Sequence, residues 1–224
     1  MNDNVVNKKS FLSQVTEIVK TNIRNIIILL SLCFVLFLFF QIYSFYISNK
    51  IQKNSISFFA AQNTDDTNII TDTITKLSND NTFYGVLAKL ELIDLTLKQN
   101  NIEDSISMYR EIINQNNLET VYKSAIASKA SYQLIDINFE NLSLNYLNII
   151  NDFISYIDDE TDSYKGIKLE LKYLIKILEA EKNSIDYSSF NEVNDIYENI
   201  MSSDVVSSAI KERVNKIHEF YSNK

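Results

Sequence analysis

The stretch YGVLAKLELIDLTLKQNNIEDSISMYREII, Tyr84–Ile113, decides the fold class. Its apolar residues recur at helical spacing on both sides of the pair Asn100–Asn101, which predicts two helices joined by a short turn. Counted from the break at Asn100, the second helix carries Ser105, Tyr109 and Ile112 at offsets of +5, +9 and +12. A small side chain at the first offset lets the second helix approach the first, and bulkier ones at the next two fill the layer against the following hairpin. The same offsets from Asn138 give Ser143, Leu147 and Ile150, and a third hairpin fits with Val193, Tyr197 and Ile200 in those places. The tetrapeptide KLEL also occurs twice, at Lys89–Leu92 and Lys168–Leu171, each copy beside one of the only two glycines, Gly85 and Gly166. A 79-residue separation of the copies fits two periods of the 38 residues from Ser105 to Ser143, so the pattern reads as repeated helical hairpins.

Outward from that hairpin the same periodicity persists. Helices are expected at about 50–62, 67–79, 84–100, 102–116, 120–138, 141–156, 163–183, 188–201 and 204–222. Asp66, Asp80, Ser163 and Ser203 stand near helix starts, where a side-chain oxygen can accept a bond from an unpaired backbone N–H. No alternating strand pattern appears, and with two glycines in the chain tight type I′ hairpins would be strained. The fold class is therefore all-α. Zero proline, zero tryptophan and abundant Ile, Asn and Lys suggest an AT-rich coding bias, under which small or glycine positions of a motif drift to Ser or Asn.

A different pattern governs the N-terminal quarter. From Asn25 to Asn49 there are 25 uncharged residues between Arg24 and Lys50, and 16 of those from Ile26 to Ile47 are Leu, Ile, Val or Phe. As a helix the run is roughly 37 Å long, against a hydrocarbon core of about 30 Å. It is too long for a secretory signal peptide, so an uncleaved anchor is expected. Lys8, Lys9, Lys20 and Arg24 precede the run and only Lys50 and Lys53 closely follow it, which places the N-terminus in the cytoplasm by the positive-inside rule. Residues 9–20 form a short amphipathic lead-in, with Phe11, Val15, Ile18 and Val19 on one face. The expected organisation is a cytoplasmic segment 1–24, a transmembrane helix 25–49 and an outer domain 50–224.

Charge divides in the same place. Residues 1–53 are net +4 and residues 54–224 net −12, making up the −8 of the whole chain. A domain that acidic is repelled by nucleic acid and by anionic lipid, so the lipid contact expected is through the anchor alone. Cys33 is the single cysteine and lies inside the apolar run, so no intrachain disulfide forms and stability comes from packing.

Patterns that carry chemistry are missing from the sequence. His218 is the only histidine and reads as a surface residue, with no Gly-x-Ser-x-Gly nucleophile to serve. Zinc would need several His or Cys, and no phosphate-cradling glycine motif occurs. The acidic run Asp158–Gly166 fails as a calcium loop, because Ser163 stands where glycine is required and Leu169 where the closing glutamate belongs. It reads as a solvated loop, as does Asn63–Thr67. No enzyme activity, cofactor, metal or small-molecule substrate is expected.

The hairpin offsets are those of the tetratricopeptide repeat. More specifically, Tyr84, Gly85, Leu87, Ala88, Leu90, Glu91 and Leu92, followed by an Asn-rich turn and a helix with small residues, resemble the signature of the bacterial YfgM-like family. The departures are Ser105 and Ser143 in place of alanine and the absence of tryptophan around Tyr164. The resemblance implies a single-pass inner-membrane protein, N-terminus cytoplasmic, with a periplasmic tetratricopeptide-like solenoid. It further implies a non-enzymatic ancillary subunit of the Sec translocon that contacts a membrane-anchored, PpiD-like periplasmic chaperone and emerging secreted polypeptides. In such domains the first helix of each hairpin lines the concave face. With Leu92 and Ala130 as equivalent inward positions, the partner-binding candidates become Asp94, Lys98, Ser128, Tyr132 and Asp136. The alternative function is a structural coordinator of an envelope or cell-division assembly, oligomerising through its repeats; a long helical stalk around Lys50–Asn63 would favour it.

Overall fold

A computed structural model describes residues 11–143, 145–158, 162–185, 187 and 191–223. Among the described residues there are nine α-helices and no strand. They are α1 (Phe11–Gln62), α2 (Thr67–Ser78), α3 (Phe83–Lys98), α4 (Ile102–Ile113), α5 (Thr120–Glu140), α6 (Leu147–Ser155), α7 (Asp162–Asn183), α8 (Asn191–Ser202) and α9 (Ser208–Ser222). The chain divides into two compact units, the first formed by residues up to Thr73 with Thr82–Tyr84, the second by Ile74–Asn81 with Gly85 onward.

The first unit is dominated by α1. Lead-in, apolar run and the expected helix at 50–62 are one continuous helix of 52 residues, because no glycine or proline interrupts them. It is long and apolar enough to cross a membrane, and none of its apolar stretch is buried within the protein. Near its end Phe58 and Ala61 are buried, the Phe58 and Tyr84 rings lie 6.0 Å apart, and Asn54 Nδ2 donates to Thr82 Oγ1 at 2.9 Å. The helix stops at Asn63, whose Nδ2 turns back onto Phe59 O. Asp66 then caps α2 as expected, its Oδ1 accepting from Asn68 N–H at 2.9 Å and Ile69 N–H at 3.3 Å.

The second unit is a succession of helices packed pairwise. α4 packs on α5, α5 on both α6 and α7, and α7 on α6, α8 and α9, with α8 closing on α9. Two apolar layers result. The first gathers Ile93, Ile106, Tyr109, Ile112, Ala130, Ile135, Ile150, Phe153 and Leu171, with the Tyr109 and Phe153 rings edge-on at 6.0 Å. The second gathers Tyr173, Ile177, Tyr187, Val193, Ile200 and Val214. Since α7 contributes Leu171 to one layer and Tyr173 to the other, it is the partition between them.

Helix ends obey a shared rule. Asn100 has φ 60° and Ser184 φ 51°, both left-handed. After α3, Asn101 N–H bonds Thr96 O at 3.1 Å and Asn100 N–H bonds Leu97 O at 2.8 Å; after α7, Ile185 N–H bonds Ala180 O at 2.9 Å and Ser184 N–H bonds Glu181 O at 3.2 Å. Both are the C-terminal motif in which glycine is the usual left-handed residue, here filled by Asn and Ser.

Two expectations about the repeat register fail, and one about a helix cap. Asn138 is not a break but a fully buried residue inside α5; its Nδ2 donates to Leu134 O at 2.8 Å and its Oδ1 accepts Tyr146 N–H at 3.4 Å. Satisfied on both sides, the amide extends α5 and delays α6 to Leu147. Ser143 is consequently exposed in the connecting turn, not packed between helices. Ser105, Tyr109 and Ile112 do pack as expected, as do Val193 and Ile200. Ser203 is not a helix cap: α9 starts later, capped by Ser207, whose Oγ accepts from Ile210 N–H at 3.4 Å. Ser163 lies within the first turn of α7, and of the acidic loop at Asp158–Gly166 residues 159–161 lie outside the described residues.

Candidate interaction face

The odd-numbered helices of the second unit are tied together by side-chain polar contacts. Asp94 on α3 pairs with Lys129 Nζ of α5 at 2.7 Å and accepts from Gln133 Nε2 at 3.0 Å. Lys129 and Gln133 are one helical turn apart, so both reach the same carboxylate. Gln133 in turn accepts the Tyr109 hydroxyl of α4. One position before Gln133, Tyr132 donates to Glu170 Oε2 of α7 at 2.7 Å. Arg213 of α9 grips the same carboxylate through both oxygens, Nε to Oε1 at 2.9 Å and Nη2 to Oε2 at 2.7 Å. Contacts therefore run α3–α5 and α5–α7–α9 from two faces of a single turn of α5.

Electrostatics follow from that wiring. Glu170 is 2% exposed, so its charge is held by the guanidinium and the phenol in place of water. The bond from Arg213 raises the guanidinium pKa further. Burial, and then the Glu170 charge, push the Tyr132 phenol above its ordinary range; burial and Asp94 do the same to Tyr109. Asp136, exposed on the last turns of α5, has its carboxyl pKa raised by partial burial and then by Glu140 four residues on. Among the described residues every buried side-chain nitrogen and oxygen has a partner. These groups fix one helix against the next; Glu170 is buried, while Asp94, Lys129 and Arg213 keep partly exposed edges.

Of the five expected partner-binding residues, Asp94 and Tyr132 belong to this network. Lys98 and Asp136 are exposed beside it, near the ends of α3 and α5. Ser128 is 6% exposed and donates to Ser124 O at 2.7 Å, back along its own helix, so it offers little to a partner. Lys129, Gln133, Glu170 and Arg213 were not anticipated. The signal for Lys129 and Gln133 was their i, i+4 spacing around Tyr132; nothing in the sequence marks Arg213 as the partner of Glu170.

A second polar cluster lies at the C-terminal end. His218 is half-buried, not a surface residue: its ring stacks on Tyr197 with centroids 3.7 Å apart, and Nδ1 meets Tyr187 Oη at 2.7 Å. Tyr187 Oη lies 2.6 Å from Tyr173 Oη, and Tyr197 donates to Asn215 Oδ1 at 2.7 Å. Burial lowers the imidazole pKa, with Glu219 opposing. Three tyrosines, on α7, α8 and the α7–α8 connection, thus surround the one histidine. Among the described residues no group of three His, Cys, Asp or Glu is placed to hold a metal ion. Compared with family models, curated proteins and solved structures, the chain matches none.

Proposed function

We propose that the chain is a membrane-anchored protein-binding module: an inner-membrane protein with a cytoplasmic N-terminus and a periplasmic tetratricopeptide-like solenoid. The observation that carries this reading is the packing order of the second unit. Each of α5 and α7 packs on the even helix that follows and on the next odd helix, so side chains of α3, α5, α7 and α9 meet in one cross-linked row. That is how stacked helical hairpins present a continuous surface to a partner. The Tyr84–Leu92 motif supports the YfgM-like assignment and, with it, an ancillary role at the Sec translocon. There the module contacts a membrane-anchored chaperone and emerging secreted polypeptides. Individual contacts are modest, and anchoring keeps the effective concentration high.

The test is photo-crosslinking in native membranes from Lys98 and Asp136, which flank the row without holding it together. Adducts to translocon subunits, periplasmic chaperones or secreted chains are the expected result. Adducts confined to cell-wall or division proteins would replace this reading by the structural coordinator. One observation favours that second reading: α1 continues unbroken from the apolar run through Lys50 to Gln62, the stalk it requires.

A further inference from the structure

We propose that α1 pairs with a second copy of itself through the face that carries Gln41. The inference rests on the reading that α1 crosses the bilayer. Gln41, Ser44, Ser48 and Gln52 follow at spacings of three, four and four, which places them on one face of the helix. All four are exposed. The buried positions Phe58 and Ala61, and Asn54 with its bond to Thr82, lie on a different face, so contacts within the first unit leave the Gln41 face uncovered.

Depth makes this face unusual. Gln41 stands 16 residues after Asn25 and 8 before Asn49, so it lies roughly 6 Å past the middle of the run, well inside a hydrocarbon core of about 30 Å. Its amide carries two N–H donors and a carbonyl acceptor that lipid cannot satisfy. Copies inserted under the same flanking charges, Arg24 before and Lys50 and Lys53 after, share one orientation and one depth. In a parallel pair, residue 41 of one copy therefore meets residue 41 of the other. Because the primary amide is both donor and acceptor, it is complementary to itself, and the two bond reciprocally. Ser44 and Ser48 one and two turns further let the backbones approach, as small residues do at helix contacts in membranes. That reciprocity commits the face to a second copy in preference to an unrelated helix.

The experiment uses the full chain in its own membrane. Replacing Cys33, the single cysteine, by serine gives a background for Ser48→Cys on the proposed face and Tyr46→Cys on the opposite one. Oxidation is expected to give a disulfide-linked dimer with Ser48→Cys and at least about fivefold less with Tyr46→Cys. Adding Gln41→Leu is expected to cut the Ser48→Cys dimer by about threefold or more, the range of interhelical hydrogen bonds in membranes, while Gln41→Asn retains it. Equal cross-linking from both faces, indifference to Gln41→Leu, or an adduct to another protein overturns the proposal. Release of the chain from membranes by alkaline carbonate overturns the membrane reading itself, and this inference with it.

Discussion

The two KLEL copies are identical in sequence and opposite in environment. In α3, Glu91 is exposed and Ile93, two residues later, is fully buried; in α7, Glu170 is buried on Arg213 and Tyr132, and Lys172 is exposed. Five residues beyond the leading lysines stand Asp94, in a half-exposed ion pair, and Tyr173, fully buried against Tyr187. The copies therefore turn different faces to the core, and the shared tetrapeptide does not mark equivalent positions. What α3 and α7 do share is their C-terminal ending, where the sequences differ: QNN at 99–101 and NSI at 183–185, with the central Asn100 and Ser184 left-handed. Equivalence in this protein follows backbone geometry, and the residues that express it are interchangeable small polar ones.

The glycines sharpen the contrast most. A Cβ on Gly85 would lie 1.8 Å from Asp80 O and 3.0 Å from Leu77 O, both backbone atoms of the tight turn that enters α3. On Gly166 it would lie 3.3 Å from Ile210 Cδ1 and 3.4 Å from Val206 Cα. Gly85→Ala is expected to destabilise by at least about 3 kcal/mol, since the turn itself must move. Gly166→Ala should stay within about 1 kcal/mol, because the added helix propensity offsets a small shift of the Ile210 side chain. Denaturant unfolding of the solubilised chain checks both, and equal costs would show that the two glycines play the same part after all.

Glutamate comes next. Glu170→Gln leaves Arg213 without its bidentate partner and is expected to cost about 2 kcal/mol. Glu91→Gln, exposed, should change stability by less than about 0.5 kcal/mol. If the two substitutions behave alike, Glu170 is not the tie between α5, α7 and α9.

How far the sequence could be read follows the same division. Helix positions came through because apolar period and Asn/Asp/Ser breaks act locally: α2, α3, α4 and α5 lie within two or three residues of expectation. Registers did not, because Asn138 looks like a break until Tyr146 N–H is seen to bond it. An amide mid-helix is a break or a buried tie depending on a partner eight residues away, which no local pattern encodes. The polar network was half legible for the same reason: Asp94 and Tyr132, expected through the tetratricopeptide resemblance, lie in it, whereas Glu170–Arg213 bridges 43 residues.

A smaller effect is expected where α3 and α7 agree. A left-handed residue with a Cβ is strained by roughly 1 kcal/mol, and asparagine is relieved of part of this by local hydrogen bonding. Ser184→Gly should therefore stabilise the protein by about 1 kcal/mol, and Asn100→Gly by a few tenths. Glycine that stabilises neither site would mean that these ends are not governed by backbone strain.

The smallest effect concerns the residue that only the α7 side possesses. Tyr173 leads through Tyr187 to His218, where α3 has Asp94 and an ion pair. Burial holds the imidazole pKa below its ordinary value, and Glu219 opposes that only in part. The groups around it are the phenols Tyr173, Tyr187 and Tyr197, with Asn215 bonded to Tyr197. With the folded value lower than the unfolded one, the unfolded chain binds the proton more readily, so stability is lost as pH falls through about 6.5. Stability of the solubilised chain measured between pH 7.5 and 5.5 should decline in the wild type, and His218→Gln should flatten the decline. Protonation also brings a cation against the Tyr197 face, which is favourable and works the other way. A wild type that gains stability on acidification would show that the stacked tyrosine outweighs burial. The α7–α9 layer, built around the one histidine, would then be tightened by acid, whereas the α3–α5 contact rests on the Asp94–Lys129 ion pair.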